Sequence, residues 1–87
     1  MQDYPHHYHV TANAAAESTV ELTSPGLVSI ESAPPAEFGG PGDLWSPETL
    51  LAAAVANCFV LSFRAIARAS NLQWSALRCD VDAVLDR

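Results

Sequence analysis

Residues 47 to 70 form a long, nearly all-apolar run with its charges confined to Glu48 at one end and Arg64 and Arg68 towards the other. Its start is marked in the sequence. Ser46 offers a hydroxyl to the first free amides, Pro47 suits the first helical position, where no hydrogen bond is lost, and Glu48 favours the positive pole. Its end is marked too: the two arginines fall where positive charge is favoured, and Asn71 tolerates the left-handed conformation that closes many helices. A helix over about 47–70 is therefore expected.

Its length sets the first constraint. Twenty-four residues at 1.5 Å each make a rod of about 36 Å, whereas a compact domain of this chain length has a radius of gyration of about 12 Å. The stretch from Leu50 to Phe63 is apolar on nearly every side, the mark of a helix covered all round. A few short strands cover one side only, so a second subunit or further chain is expected to cover the rest.

The chain of 87 residues bounds the reading to a single domain with a thin core. It carries net charge −6, four arginines and no lysine, and no arginine or lysine occurs in the first 63 residues. Such a surface repels phosphate backbones and anionic lipid, so nucleic acid is not an expected partner. The first residues have neither the basic nor the apolar region of a signal peptide. The apolar stretch 50–63 is shorter than the roughly 20 residues that cross a bilayer, so a soluble protein without a membrane partner is expected. Two cysteines are too few for a disulfide framework, and a reducing cytoplasm is the expected compartment.

Before the helix, strands are expected at His7–Thr11, Thr19–Thr23 and Leu27–Ile30, the last two joined by Ser24-Pro25-Gly26 in an antiparallel hairpin. Residues 33–44 hold too much proline and glycine for a regular element and read as a loop. After Trp74, Leu77, Cys79, Val81, Ala83 and Leu85 alternate with Arg78, Asp80 and Asp82, the pattern of a half-buried strand. That strand reaches Arg87 without a turn or closing element, as expected of a fold that continues. The class is α+β.

The chemistry is concentrated in few residues. Cys58 shares a helix face with Leu51, Ala54, Val55, Leu61 and Ser62. A thiol on such a dry wall is either a small core residue or, given a cation from elsewhere, a nucleophile. Glu48 lies ten positions earlier at an offset of about 80°, reading as a favourable terminal charge unless substrate or a base bridges the gap. Cys79 reads as strand packing. His6, His7 and His9 lack the accompanying Cys or paired carboxylate of a metal site, so neither metal nor cofactor is expected. The glycines at 39, 40 and 42 precede acidic Asp43 and Glu48, which argues against a phosphate loop.

From Phe38-Gly39-Gly40-Pro41-Gly42-Asp43-Leu44-Trp45-Ser46-Pro47-Glu48 into Leu50 to Cys58-Phe59, and on through Phe63 to Ala69 and Leu85-Asp86-Arg87, the chain resembles the OsmC/Ohr family. These are osmotically inducible protein C and the organic hydroperoxide resistance proteins. The resemblance covers the N-terminal half to two-thirds of a usual member. It implies an α+β intertwined homodimer in which strands wrap two long central helices, and thiol-dependent reduction of organic or hydrogen peroxides with a dithiol or lipoyl-type reductant. By the same resemblance Cys58 is the peroxidatic thiolate, Glu48 belongs to the charge network around it, and Phe59 and Trp45 help form the substrate pocket. Two departures stand beside this. The family's resolving cysteine lies on a later helix and is not matched by Cys79, and no arginine precedes Arg64 to activate the thiol. A non-catalytic dimerisation domain and a redox sensor are the alternative readings.

Overall fold

The computed structural model describes residues 3–87, which fall into two compact units dividing between Ser46 and Pro47. The first is a three-stranded antiparallel sheet in the order β1 (Thr11–Asn13), β2 (Val20–Thr23), β3 (Ile30–Ser32). In register, Thr11, Ala12 and Asn13 face Thr23, Leu22 and Glu21, while Val20, Glu21 and Leu22 face Ser32, Glu31 and Ile30. Because side chains alternate across a strand, Ala12, Val20, Leu22, Ile30 and Ser32 share one face. Thr11, Asn13, Glu21, Thr23 and Glu31 share the other. Val20 and Leu22 are half-buried, and Ser32 and Ala33 buried.

The hairpin forms as expected, through its turn chemistry. Leu27 donates its amide to the Ser24 carbonyl at 3.1 Å, with Gly26 at φ 78° after Pro25, the arrangement of a type II turn. β2 lies within one residue of the expected Thr19–Thr23, whereas the other two strands are displaced. β3 begins at Ile30 rather than Leu27, and β1 at Thr11 rather than His7. β2 is only four residues long, so it sets the register on both sides, and apolar or aromatic residues beyond its reach gain no ladder partner. His9 is tied in differently, its carbonyl accepting from the Ser24 hydroxyl at 2.7 Å.

The loop after β3 is ordered by its own backbone. A single 3-10 turn spans Ala36–Phe38, Phe38 and Gly40 both donate to the Pro35 carbonyl, and Ala33 donates to the Trp45 carbonyl at 2.9 Å. Ser32 and Trp45 form a parallel bridge, so the loop returns to the edge of β3. Gly40 is required: a Cβ there would fall on the Pro34 carbonyl oxygen.

The second unit is built on α1 (Pro47–Ala69), within one residue of the expected bounds. Asn71 takes φ 57°, and Leu72 and Asn71 donate to the carbonyls of Ala67 at 2.9 Å and Arg68 at 3.3 Å. This pair of bonds is a Schellman closure, which satisfies helix carbonyls that would otherwise lack donors. Trp74 then meets Phe63 edge-on, ring centroids 5.1 Å apart. Beyond it the chain carries no regular secondary structure: Leu77 and Cys79 are half-buried and Arg78 and Asp80 exposed, but Val81, Ala83 and Leu85 are exposed too, so the expected strand is not formed.

The two units differ in charge. Asp3, Glu17, Glu21, Glu31, Glu37 and Asp43 stand in the first without an arginine, while the four arginines of the second offset Glu48, Asp80, Asp82 and Asp86. The whole net charge of the protein thus belongs to the sheet unit. α1 is long and apolar enough to cross a bilayer by length and composition, although its central stretch alone is not.

Candidate functional site around Cys58

α1 is covered on one side only. Ala67 is 2% exposed, and Ala52, Ala53, Ala56, Val60 and Phe63, which lie on the same side at helical spacing, are half-buried. On the opposite side Leu51, Val55, Phe59, Leu61 and Ile66 are each at least half exposed. The expected all-round burial is therefore not reached within these residues, for the reason given by the length of the rod. Small alanines fill the covered side. Larger side chains project from the other.

Cys58 lies on the uncovered side, exposed and unbonded to any other cysteine. Its neighbours on that face are Leu51, Ala54, Val55, Leu61 and Ser62, as the helical spacing required. Phe59, 56% exposed, follows it directly in sequence and points about 100° away around the helix. Glu48 is exposed in the first turn of the same helix, about 15 Å along the axis from Cys58. At that distance it acts on the thiol only through intervening groups. Trp45, half exposed, belongs to the sheet unit and is held there by its bridge to Ser32.

The histidines have local roles. His6 stacks on Tyr4 at a centroid distance of 4.4 Å, and His9 Nε2 lies 3.4 Å from the Thr11 hydroxyl. Among the described residues no three His, Cys, Asp or Glu side chains gather where a metal could be held. Arg78 pairs with Asp80 at 3.1 Å, both in solvent, where such a pair contributes little.

Two features were not visible in the sequence. The steric need for Gly40 depends on where the Pro34 carbonyl turns, and the Ser32–Trp45 bridge joins residues separated by the whole loop. Both position the chain immediately before Ser46, which is 2% exposed where the helix starts.

Compared with known families, residues 40–87 match OsmC-like protein, more than half of the chain. The chain belongs to the OsmC-like family. Gly40, Ser46, the whole of α1 with Cys58, and Cys79 lie inside the matched segment, whereas β1, β2 and β3 precede it. No match was found among curated proteins or among solved structures.

Proposed function

We propose that this OsmC-like chain is a thiol-dependent peroxidase that reduces organic or hydrogen peroxides through Cys58. The observation that carries the reading is the position of Cys58 on α1, inside the segment that matches the family. The thiolate attacks the distal oxygen of a hydroperoxide, the O–O bond breaks, an alcohol leaves after protonation, and Cys58 becomes a sulfenic acid. Phe59 supplies apolar contact for the organic part of the substrate. Glu48, at the start of the same helix, belongs to the charge network around the thiolate.

The uncovered side of α1 supports a homodimer. Leu51, Val55, Phe59, Leu61 and Ile66, each at least half exposed, line one helix with apolar surface of the kind that marks an interaction site. A second copy covers it, and the alternating segment from Leu77 to Leu85 becomes a strand when a sheet edge is offered to it. Such an intertwined dimer leaves α1 a core helix rather than a membrane span, and the protein cytoplasmic, with a dithiol as reductant.

Trapping tests the reading. An organic hydroperoxide followed by a sulfenic-acid reagent such as dimedone is expected to label Cys58 and leave Cys79 unlabelled. A folded protein whose Cys58 stays unlabelled acts instead as a dimerisation domain.

A further inference from the structure

We infer that the hydroxyl of Ser62 donates a hydrogen bond to the Cys58 thiolate and so raises the reactivity of that sulfur at neutral pH; this rests on the peroxidatic reading of Cys58. Between Leu50 and Phe63 the helix carries Asn57, Cys58 and Ser62, and every other side chain there is hydrocarbon. Ser62 stands about 6 Å along α1 from Cys58 and about 40° round it, whereas Asn57 points about 100° to the other side. Helical side chains lean towards the N-terminus, so Ser62 lies back over the turn that holds Cys58. Side chains at this spacing are neighbours on a helix surface, their Cβ atoms about 5–6 Å apart. Each of the two carries its heteroatom one bond further, which brings oxygen and sulfur within reach.

A serine inside a helix can return its hydroxyl to the carbonyl four residues back, here that of Cys58. Ser62 makes no such bond: among the described residues its hydroxyl has no hydrogen-bond partner. The hydroxyl is free for the sulfur, and a bond to an anionic acceptor is stronger than one to a carbonyl that already accepts a helical amide. α1 carries no charge between Glu48, about 15 Å before Cys58, and Arg64, about 9 Å beyond it and about 240° round. Leu51, Ala54, Val55 and Leu61 add no polar group to the face. When a second copy covers that face, a hydroxyl among apolar side chains is costly unless bonded, and a thiolate more so. Ser62 and Cys58 then satisfy each other.

The donated bond favours the thiolate over the thiol, whose proton passes to solvent water. It also draws charge from sulfur, so each thiolate is a weaker nucleophile while more of it is present. At neutral pH abundance prevails, because nucleophilicity falls with a Brønsted slope of only about 0.4–0.5. Where every thiol is already ionised, only the loss of nucleophilicity remains. Removing the hydroxyl therefore acts in opposite directions at neutral and alkaline pH, which a simple loss of packing does not do.

The test uses the full chain and follows Cys58 by peptide mass spectrometry after timed alkylation with iodoacetamide. At neutral pH Ser62→Ala is expected to slow alkylation by about three-fold or more, and at about pH 10, where free thiols are ionised, to leave it equal or faster. Ser62→Thr keeps the hydroxyl and holds the neutral rate within about two-fold of the parent, as does Asn57→Ala on the other flank. Equal neutral rates in the parent and Ser62→Ala, both folded by circular dichroism and alike in oligomeric state, overturn the inference. So does slowing by the same factor at both pH values, or a Ser62→Thr as slow as Ser62→Ala. Iodoacetamide reacts without peroxide chemistry, so a parallel arm uses an organic hydroperoxide. A parent that keeps the Ser62 dependence in alkylation yet forms no sulfenic acid counts against the peroxidase reading and leaves the hydrogen bond standing.

Discussion

The amide of Leu72 donates to the carbonyl of Ala67 at 2.9 Å, and this bond fixes the direction in which the chain leaves α1. It depends on Asn71 at φ 57°, a conformation that costs a β-branched residue about 1–2 kcal/mol and glycine almost nothing. Asn71→Val is therefore expected to lower stability by about that amount, and Asn71→Gly to leave it within about 0.5 kcal/mol. Urea denaturation followed by circular dichroism measures both, and equal losses in the two would show that the left-handed closure contributes nothing.

Trp74 closes over Phe63 edge-on. An aromatic pair of this geometry contributes about 0.5–1.5 kcal/mol beyond the area it buries. A double-mutant cycle with Phe63→Leu and Trp74→Leu is expected to return a coupling in that range. Strict additivity of the two losses would mean that the rings act independently.

Gly40 and Gly26 separate two kinds of glycine requirement. At Gly26 nothing stands within 4 Å of an added Cβ, so Gly26→Ala meets only the penalty of a positive φ, about 1 kcal/mol. At Gly40 the Cβ collides with rigid backbone, the Pro34 carbonyl, and the whole loop must shift. Gly40→Ala should cost more than Gly26→Ala, by about 1–3 kcal/mol, in thermal or urea unfolding. The reverse order would place the Pro34 carbonyl wrongly.

Glu21 and Glu31 stand directly opposite each other on β2 and β3. Like charges in that position destabilise a sheet, and opposite charges stabilise it, by about 0.2–1 kcal/mol. Glu31→Lys is expected to raise the melting temperature at low ionic strength, with the gain shrinking as salt screens the pair. A lower melting temperature would indicate a different register.

The parts that the sequence showed clearly are those set by neighbouring residues. Ser46-Pro47-Glu48 carries the helix start, Asn71 its end, and Pro25-Gly26 the hairpin turn, since each acts within a few residues of chain. The strands were less legible because pairing decides them: Leu27 and Val28 favour a strand by propensity, yet the short β2 leaves them beyond its ladder. The alternation after Trp74 was visible in the sequence, but a strand forms only against an edge. Cys58 was singled out from its setting in the helix and from the family resemblance. Its exposure follows from which side of α1 the alanines pack on, and that emerges only once the chain is folded back at Ala67.

Peroxide turnover tests the central claim most directly. With an organic hydroperoxide and dithiothreitol as reductant, the intact protein is expected to consume peroxide well above the buffer rate, and Cys58→Ser to fall to that rate. Cys79→Ser should keep activity within about two-fold of the parent. Equal consumption by the parent and Cys58→Ser, both folded by circular dichroism, would contradict the assignment of Cys58 as the reacting thiol.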